Sequence, residues 1–223
     1  MDIRKIKTPI GLREYWAAFS ESISGKSLES HPLSFLALHH LMENYNRSGR
    51  EYHNTKHIEF CLHELHSKAL KYVTHLNEII FAIIFHDSVQ EINSKLNEFH
   101  SARVAYTNLD ALDWKDKINP VTVHDFIMVT DHSREPKTTD EKIIVDIDLA
   151  ILGQDESAYL KYEEAIRKEY SWVNDTDFKD GRIKVLQKFL DRRGGIFYTD
   201  VFQCSYEGLA RRNMERAIER LQS

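Results

Sequence analysis

The sequence predicts an all-α fold, a single compact multi-helix bundle, and three observations carry that expectation. Glycine and proline, the residues that punctuate a chain, number only 8 and 4 in 223. Long stretches place apolar residues three and four apart, the spacing that puts them on one face of a helix. No repeat or low-complexity linker divides the chain, so residues 1–223 are read as one domain with enough apolar material for a sizeable core.

Taken in order, helices are expected over residues 11–24, 33–46, 55–73, 77–87, 94–111, 120–130, 140–151, 155–170, 176–192 and 206–221. The third begins behind Thr55, a residue type that caps helices, and carries Ile58, Cys61, Leu62, Leu65 and Ala69 on one face. The fourth contains the unbroken apolar run from Ile79 to Phe85. Such a run fits a helix buried on every side, and the helical neighbours and the lack of flanking Gly or Pro favour helix over strand. His86 and Asp87 are then expected in its last turn. The seventh carries Asp146 and Asp148 inside the apolar segment "IIVDIDLAIL". The polar gap "HSREPKTTDEK" (132–142) precedes it, and Gly194 and Gly195 close the ninth helix. Tyr159, Tyr162, Ile166 and Tyr170, like Phe178, Leu186 and Phe189, recur at helical spacing and are read as core. Arg211, Arg212 and Arg216 alternate with Glu215 and Glu219 and read as a solvated face.

Composition narrows the partners. A formal charge of −5 and a pI near 6.2 predict no extended nucleic-acid or anionic-lipid surface. The longest apolar run is far too short to span a membrane, and the N-terminal stretch shows no signal-peptide pattern. Two cysteines without CxxC spacing indicate neither a disulfide framework nor a zinc ribbon, so a cytoplasmic protein is expected.

The chemistry lies in the histidines. A chain with 12 His should contain about one His-Asp pair by chance, and this one has two, His86-Asp87 and His124-Asp125. The dipeptide is therefore uninformative without further ligands, because a cation offsets the desolvation of its donors only where several converge. Upstream, His53 and His57 stand four residues apart in "GREYHNTKHIEF" (49–60), with His57 in the first turn of its helix, one turn before Cys61. Downstream, an ionised Asp146 or Asp148 in an apolar helix needs a cation or several donors.

In this order His57, His86-Asp87 and Asp148 resemble the H…HD…D ligand set of the HD superfamily of metal-dependent phosphohydrolases, which are all-helical. "YHNTKH" (52–57) is similar to the YHNxxH signature of cyclic-nucleotide phosphodiesterases, in which the position of His53 donates a proton to the leaving oxygen and that of His57 binds metal. "DLA" at Asp148 resembles the position of the last ligand, which favours Asp148 over Asp146. "NEFHSA" (97–102), "IRKEY" (166–170) and "ARRN" (210–213) look like a small bacterial branch of HD phosphohydrolases, over roughly residues 10–215. The purine-reading Gln of the phosphodiesterases has no counterpart here, so cyclic-nucleotide cleavage is not implied.

The resemblance implies metal ligands His57, His86, Asp87 and Asp148 around a divalent ion (Mn, Mg, Fe, Co, Ni or Zn). Asp87 is able to bridge a second ion. His53 is the expected general acid and a metal-activated water the nucleophile. Arg50, Asn97, Glu98 and His132 are the expected substrate contacts, although the polar loop around His132 favours its exposure, and Lys56 is expected to be a solvated charge. The expected activity is hydrolysis of a phosphate ester of a nucleotide or similar small metabolite. The alternatives are a metal-assisted nucleotide sensor without turnover, or an HD-like di-iron oxygenase in which His132 would be the extra ligand.

Overall fold

Ten α-helices and no strand make up the described part of the computed structural model, which covers residues 2–91 and 94–223. The helices are α1 (Leu12–Ser24), α2 (Pro32–Tyr45), α3 (Thr55–Glu64), α4 (Leu76–Phe85), α5 (Asn97–Ala111), α6 (Pro120–Met128), α7 (Thr139–Leu149), α8 (Glu156–Glu169), α9 (Asp175–Leu190) and α10 (Asp200–Gln222). All ten correspond to expected helices, and the all-α expectation holds. Among the described residues no helix is long and apolar enough to cross a membrane.

Local chemistry sets most of the boundaries. α1 stops at Gly25, whose φ of 72° is a left-handed conformation that costs glycine little. α2 and α6 start on Pro32 and Pro120, placed where a helix lacks an N–H partner anyway. α7 opens with a capping box, Thr138 accepting from the Glu141 N–H while Glu141 reaches back to the Thr138 N–H. Beyond shifts of three residues or fewer at other helix ends, three local features differ from expectation. Asn54, not Thr55, caps α3, its side chain accepting from the Lys56 N–H at 2.9 Å. α3 also ends at Glu64, where a single π-helical turn over Leu65–Ala69 replaces its expected continuation. α10 starts six residues early, at Asp200, because Asp146 of α7 accepts hydrogen bonds from the N–H groups of Tyr198 and Thr199 just ahead of it.

The central element is α4. Ile79 to Phe85 are all buried, packed by α3, α5, α6 and α7, so the apolar run is a helix enclosed on every side. Phe81 stacks on Phe85 at 4.4 Å between centroids, and Trp16 and Trp114 close over the pair. The helix ends at Phe85, with His86 as its C-cap, so His86 and Asp87 sit just past the last turn rather than within it. A plug this well fixed gives the two polar residues at its end little freedom to move.

Candidate metal centre

Three elements bring the four expected ligands together. His57 comes from the first turn of α3, His86-Asp87 from the end of α4 and Asp148 from the last turn of α7. The His57 Nε2 stands 3.2 Å from the His86 Nε2, 3.5 Å from Asp87 Oδ2 and 3.2 Å from Asp148 Oδ1. The His86 Nε2 stands 3.1 Å from Asp87 Oδ2 and 3.6 Å from Asp148 Oδ1. Donors held about 2.1 Å from one ion and roughly 90–100° apart stand about 3.0–3.2 Å from each other; three of these separations match, and the other two, 3.5 and 3.6 Å, are slightly wider.

Two further observations fit a cation. Asp87 Oδ2 is buried and has hydrogen-bond geometry with no group among the described residues, although both imidazoles are near. The His86 Nδ1 lies 2.9 Å from the Ile83 carbonyl oxygen, to which only an N–H can donate, and this leaves Nε2 as the ligating nitrogen. The charge balance points the same way. Burial disfavours every charged form here, yet the histidines hold Asp87 and Asp148 below the ordinary carboxylate range. The two carboxylates in turn raise His86 against the same desolvation. Two largely buried carboxylates among imidazoles demand positive charge, from protons or from a metal. Cys61 Sγ lies 3.7 Å from the His57 Nε2, so His57, Cys61 and Asp148 form a second possible trio. Burial, followed by the two carboxylates, keeps that thiol well above its usual pKa.

The cluster opens onto a cavity of about 590 Å³, a size suited to a small molecule. His53, Asn97, Glu98 and His132 line it together with His86, Asp87 and Asp148. The His53 Nδ1 is held at 2.7 Å by Glu169 Oε2, and Glu169 Oε1 accepts from the N–H groups of Tyr52 and His53 at 2.8 and 2.9 Å. The neutral His53 ring is therefore fixed with its proton on Nδ1, and among the described residues no hydrogen bond holds its Nε2. Burial works against a charged His53, but the bond to Glu169 and the Asp87 carboxylate outweigh it and raise the imidazole above its ordinary value.

The other expected contacts take different places. Arg50 does not line the cavity. Its guanidinium donates to the carbonyl oxygens of His53, Asp87 and Ser88 at 3.1, 2.6 and 3.2 Å, stapling the histidine segment to the end of α4. Asn97 accepts from the Glu91 N–H and donates to the Glu91 carbonyl, which ties the loop after Asp87 to the start of α5. Glu98 is pushed up mainly by burial, with the nearby carboxylates adding to it. His132, expected at the surface, is instead largely buried, with Nε2 at 3.1 Å from Asp148 Oδ2. Its φ of 53° is uncommon for a residue other than glycine and follows the short 3-10 turn Val129–Asp131. Asp146, the rejected alternative to Asp148, is fully buried and committed to Tyr198 and Thr199.

Sequence reasoning missed Glu169, Tyr52 and the wall formed by α8 and α9. One signal for Glu169 was available. An acid in the last turn of a helix faces the negative end of the dipole and needs a partner elsewhere. Tyr52 packs between His57 and Tyr162, at 4.8 and 4.6 Å from their rings. The stripes of α8 and α9, read as core, do bury Tyr159 and Leu186 but also face the cavity through Tyr162, Ile166, Tyr170, Phe178 and Phe189.

Comparison with family models, with curated proteins and with solved structures finds no match to this chain. The fold and the site therefore define it as an all-α protein with a buried His/Asp cluster able to hold a metal ion.

Proposed function

We propose that the chain is a metal-dependent phosphohydrolase acting on a phosphate ester of a nucleotide or similar small metabolite. The observation that carries this reading is the convergence of His57, His86, Asp87 and Asp148, with the last three on the wall of a cavity that His53 also lines. A divalent ion bound by these four residues would acidify a coordinated water and polarise a phosphoryl oxygen. The protein's own groups supply the rest. His53, with Nδ1 fixed by Glu169, presents Nε2 to the cavity, and its raised proton affinity suits it to protonate the departing oxygen near neutral pH. Arg50 keeps His53 in register with Asp87 through their carbonyls. Asn97 and Glu98 offer polar contacts from the start of α5.

Replacing His53 with Ala tests the reading. Loss of about 100-fold or more in turnover of phosphate esters, with metal content unchanged, is the expected result. Binding of phosphorylated ligands with no turnover in wild-type protein under several divalent metals would favour the sensor instead. A second reading has one observation behind it. His132 adjoins Asp148 and adds a third imidazole to the cluster, as a di-iron oxygenase would want. Purified protein devoid of iron counts against that alternative.

A further inference from the structure

A helix that lies on a bundle shows an apolar stripe because one face must leave water. On α8 and α9 part of that stripe meets the cavity rather than a neighbouring helix. Ile166, Tyr170, Phe178, Val185, Leu186 and Phe189 form a wall of the same cavity that carries the His/Asp cluster. Val185 is 43% exposed, so the wall runs outward to solvent. An apolar surface of this kind gains when an apolar group displaces water from it.

Apart from the imidazoles His53, His86 and His132 around the cluster, the charges of the cavity lean to one sign. Its described lining includes the carboxylates Asp87, Glu98, Asp131, Asp148 and Asp177 and a single Arg or Lys, Arg182. Arg182 is already matched. Its Nε and Nη2 donate to the two oxygens of Glu163 at 3.0 and 2.7 Å, and Nη2 also donates to the Tyr162 hydroxyl at 2.8 Å. A chain of phosphates would therefore bring several negative charges beside Glu98, Asp131 and Asp177, which form no ion pair with an Arg or Lys among the described residues, whereas one phosphoryl group can be met at the cluster itself.

We infer that the cavity selects an ester of a single phosphoryl group whose alcohol carries an aromatic or similarly apolar group, seated against the α8–α9 wall. Di- and triphosphates and esters of small polar alcohols are disfavoured. This rests on the phosphohydrolase reading above and narrows it. A nucleoside monophosphate qualifies through its base, while glycerol phosphate does not.

Two measurements separate this inference from the reading beneath it. In binding, wild-type protein with manganese is titrated with phenylphosphonate and with methylphosphonate. The first is expected to bind about tenfold tighter or more. Phe178→Ala should move that ratio toward one, as should Val185→Asp, a change at a half-exposed position. In turnover, kcat/KM for naphthyl phosphate should exceed that for glycerol phosphate by about tenfold or more, and a nucleoside monophosphate should be cleaved better than its triphosphate. Equal or absent binding of the two phosphonates, equal kcat/KM for the two esters, or preference for the triphosphate overturns the inference and leaves a hydrolase standing. A phenylphosphonate preference without turnover of any ester sinks the hydrolase reading and supports the cavity's choice of an apolar ligand.

Discussion

The two His-Asp pairs of this chain are alike at close range and unlike in every other respect. In His86-Asp87 and His124-Asp125 an imidazole nitrogen lies 3.1 and 3.2 Å from the neighbouring carboxylate. The first pair is 5% and 13% exposed, the second 49% and 56%. What separates them is where the helix leaves them. α4 is enclosed all round and delivers its pair against donors from α3 and α7, whereas α6 shows its pair to solvent. A carboxylate and an imidazole in water contribute little to each other, but the same two groups withdrawn from water beside matching donors are able to hold a cation. The chemistry therefore lies in convergence and not in the dipeptide.

α7 repeats the lesson at a spacing of two residues, and it supplies the largest expected effect. Asp146→Ala would strip the acceptor from two N–H groups and the Thr199 hydroxyl ahead of α10, costing about 2–4 kcal/mol in chemical denaturation while metal content stays at the wild-type level. Asp148→Ala should do the reverse, lowering metal content with little loss of stability. If the two variants behaved alike, the division of labour between these aspartates would be wrong. Gly153→Ala probes the same α7–α10 region by packing alone. A Cβ there would stand 2.4 Å from the Tyr206 Cβ and 3.0 Å from its Cα, so a loss of about 1–3 kcal/mol is expected, again with metal retained.

Glu141 gives a paired carboxylate outside the cluster, with a pH dependence of definite sign. Burial alone would raise its pKa, but the bond from Arg134 at 2.6 Å and the N–H groups of Lys137 and Thr138 lower it below the ordinary 4.5. Its contribution to stability is therefore present above pH 4.5 and lost as pH falls through the lower folded value. Acid denaturation should show Glu141→Gln less stable than wild type at pH 6, with the gap closing below pH 4.5. A constant gap across that window would mean the carboxylate charge is not what the Arg134 contact uses. The smallest effect belongs to the exposed pair. His124→Ala and Asp125→Ala should each change stability by no more than about 0.5 kcal/mol.

Much of this was legible before the structure. The helices were, because apolar spacing and caps are local signals, and so were His57, His86, Asp87 and Asp148, because their order resembles a known ligand pattern. Less legible was whatever depends on a distant partner. Glu169 meets His53 across 116 residues, and Asp146 meets Tyr198 across 52. Arg50 looked like a phosphate contact because a guanidinium near histidines suits phosphate, but only the fold reveals the three carbonyl oxygens that occupy it. The cavity wall escaped because a stripe facing a cavity and a stripe facing a helix have the same period.

The comparison of the two pairs rests most directly on elemental analysis of purified protein. Metal content is measured in wild type, in a double variant His86→Ala with Asp87→Ala, and in a double variant His124→Ala with Asp125→Ala. The expected result is metal lost from the first variant and retained at the wild-type level in the second. Metal retained in both, or lost from both, would contradict the assignment of the cluster at the end of α4.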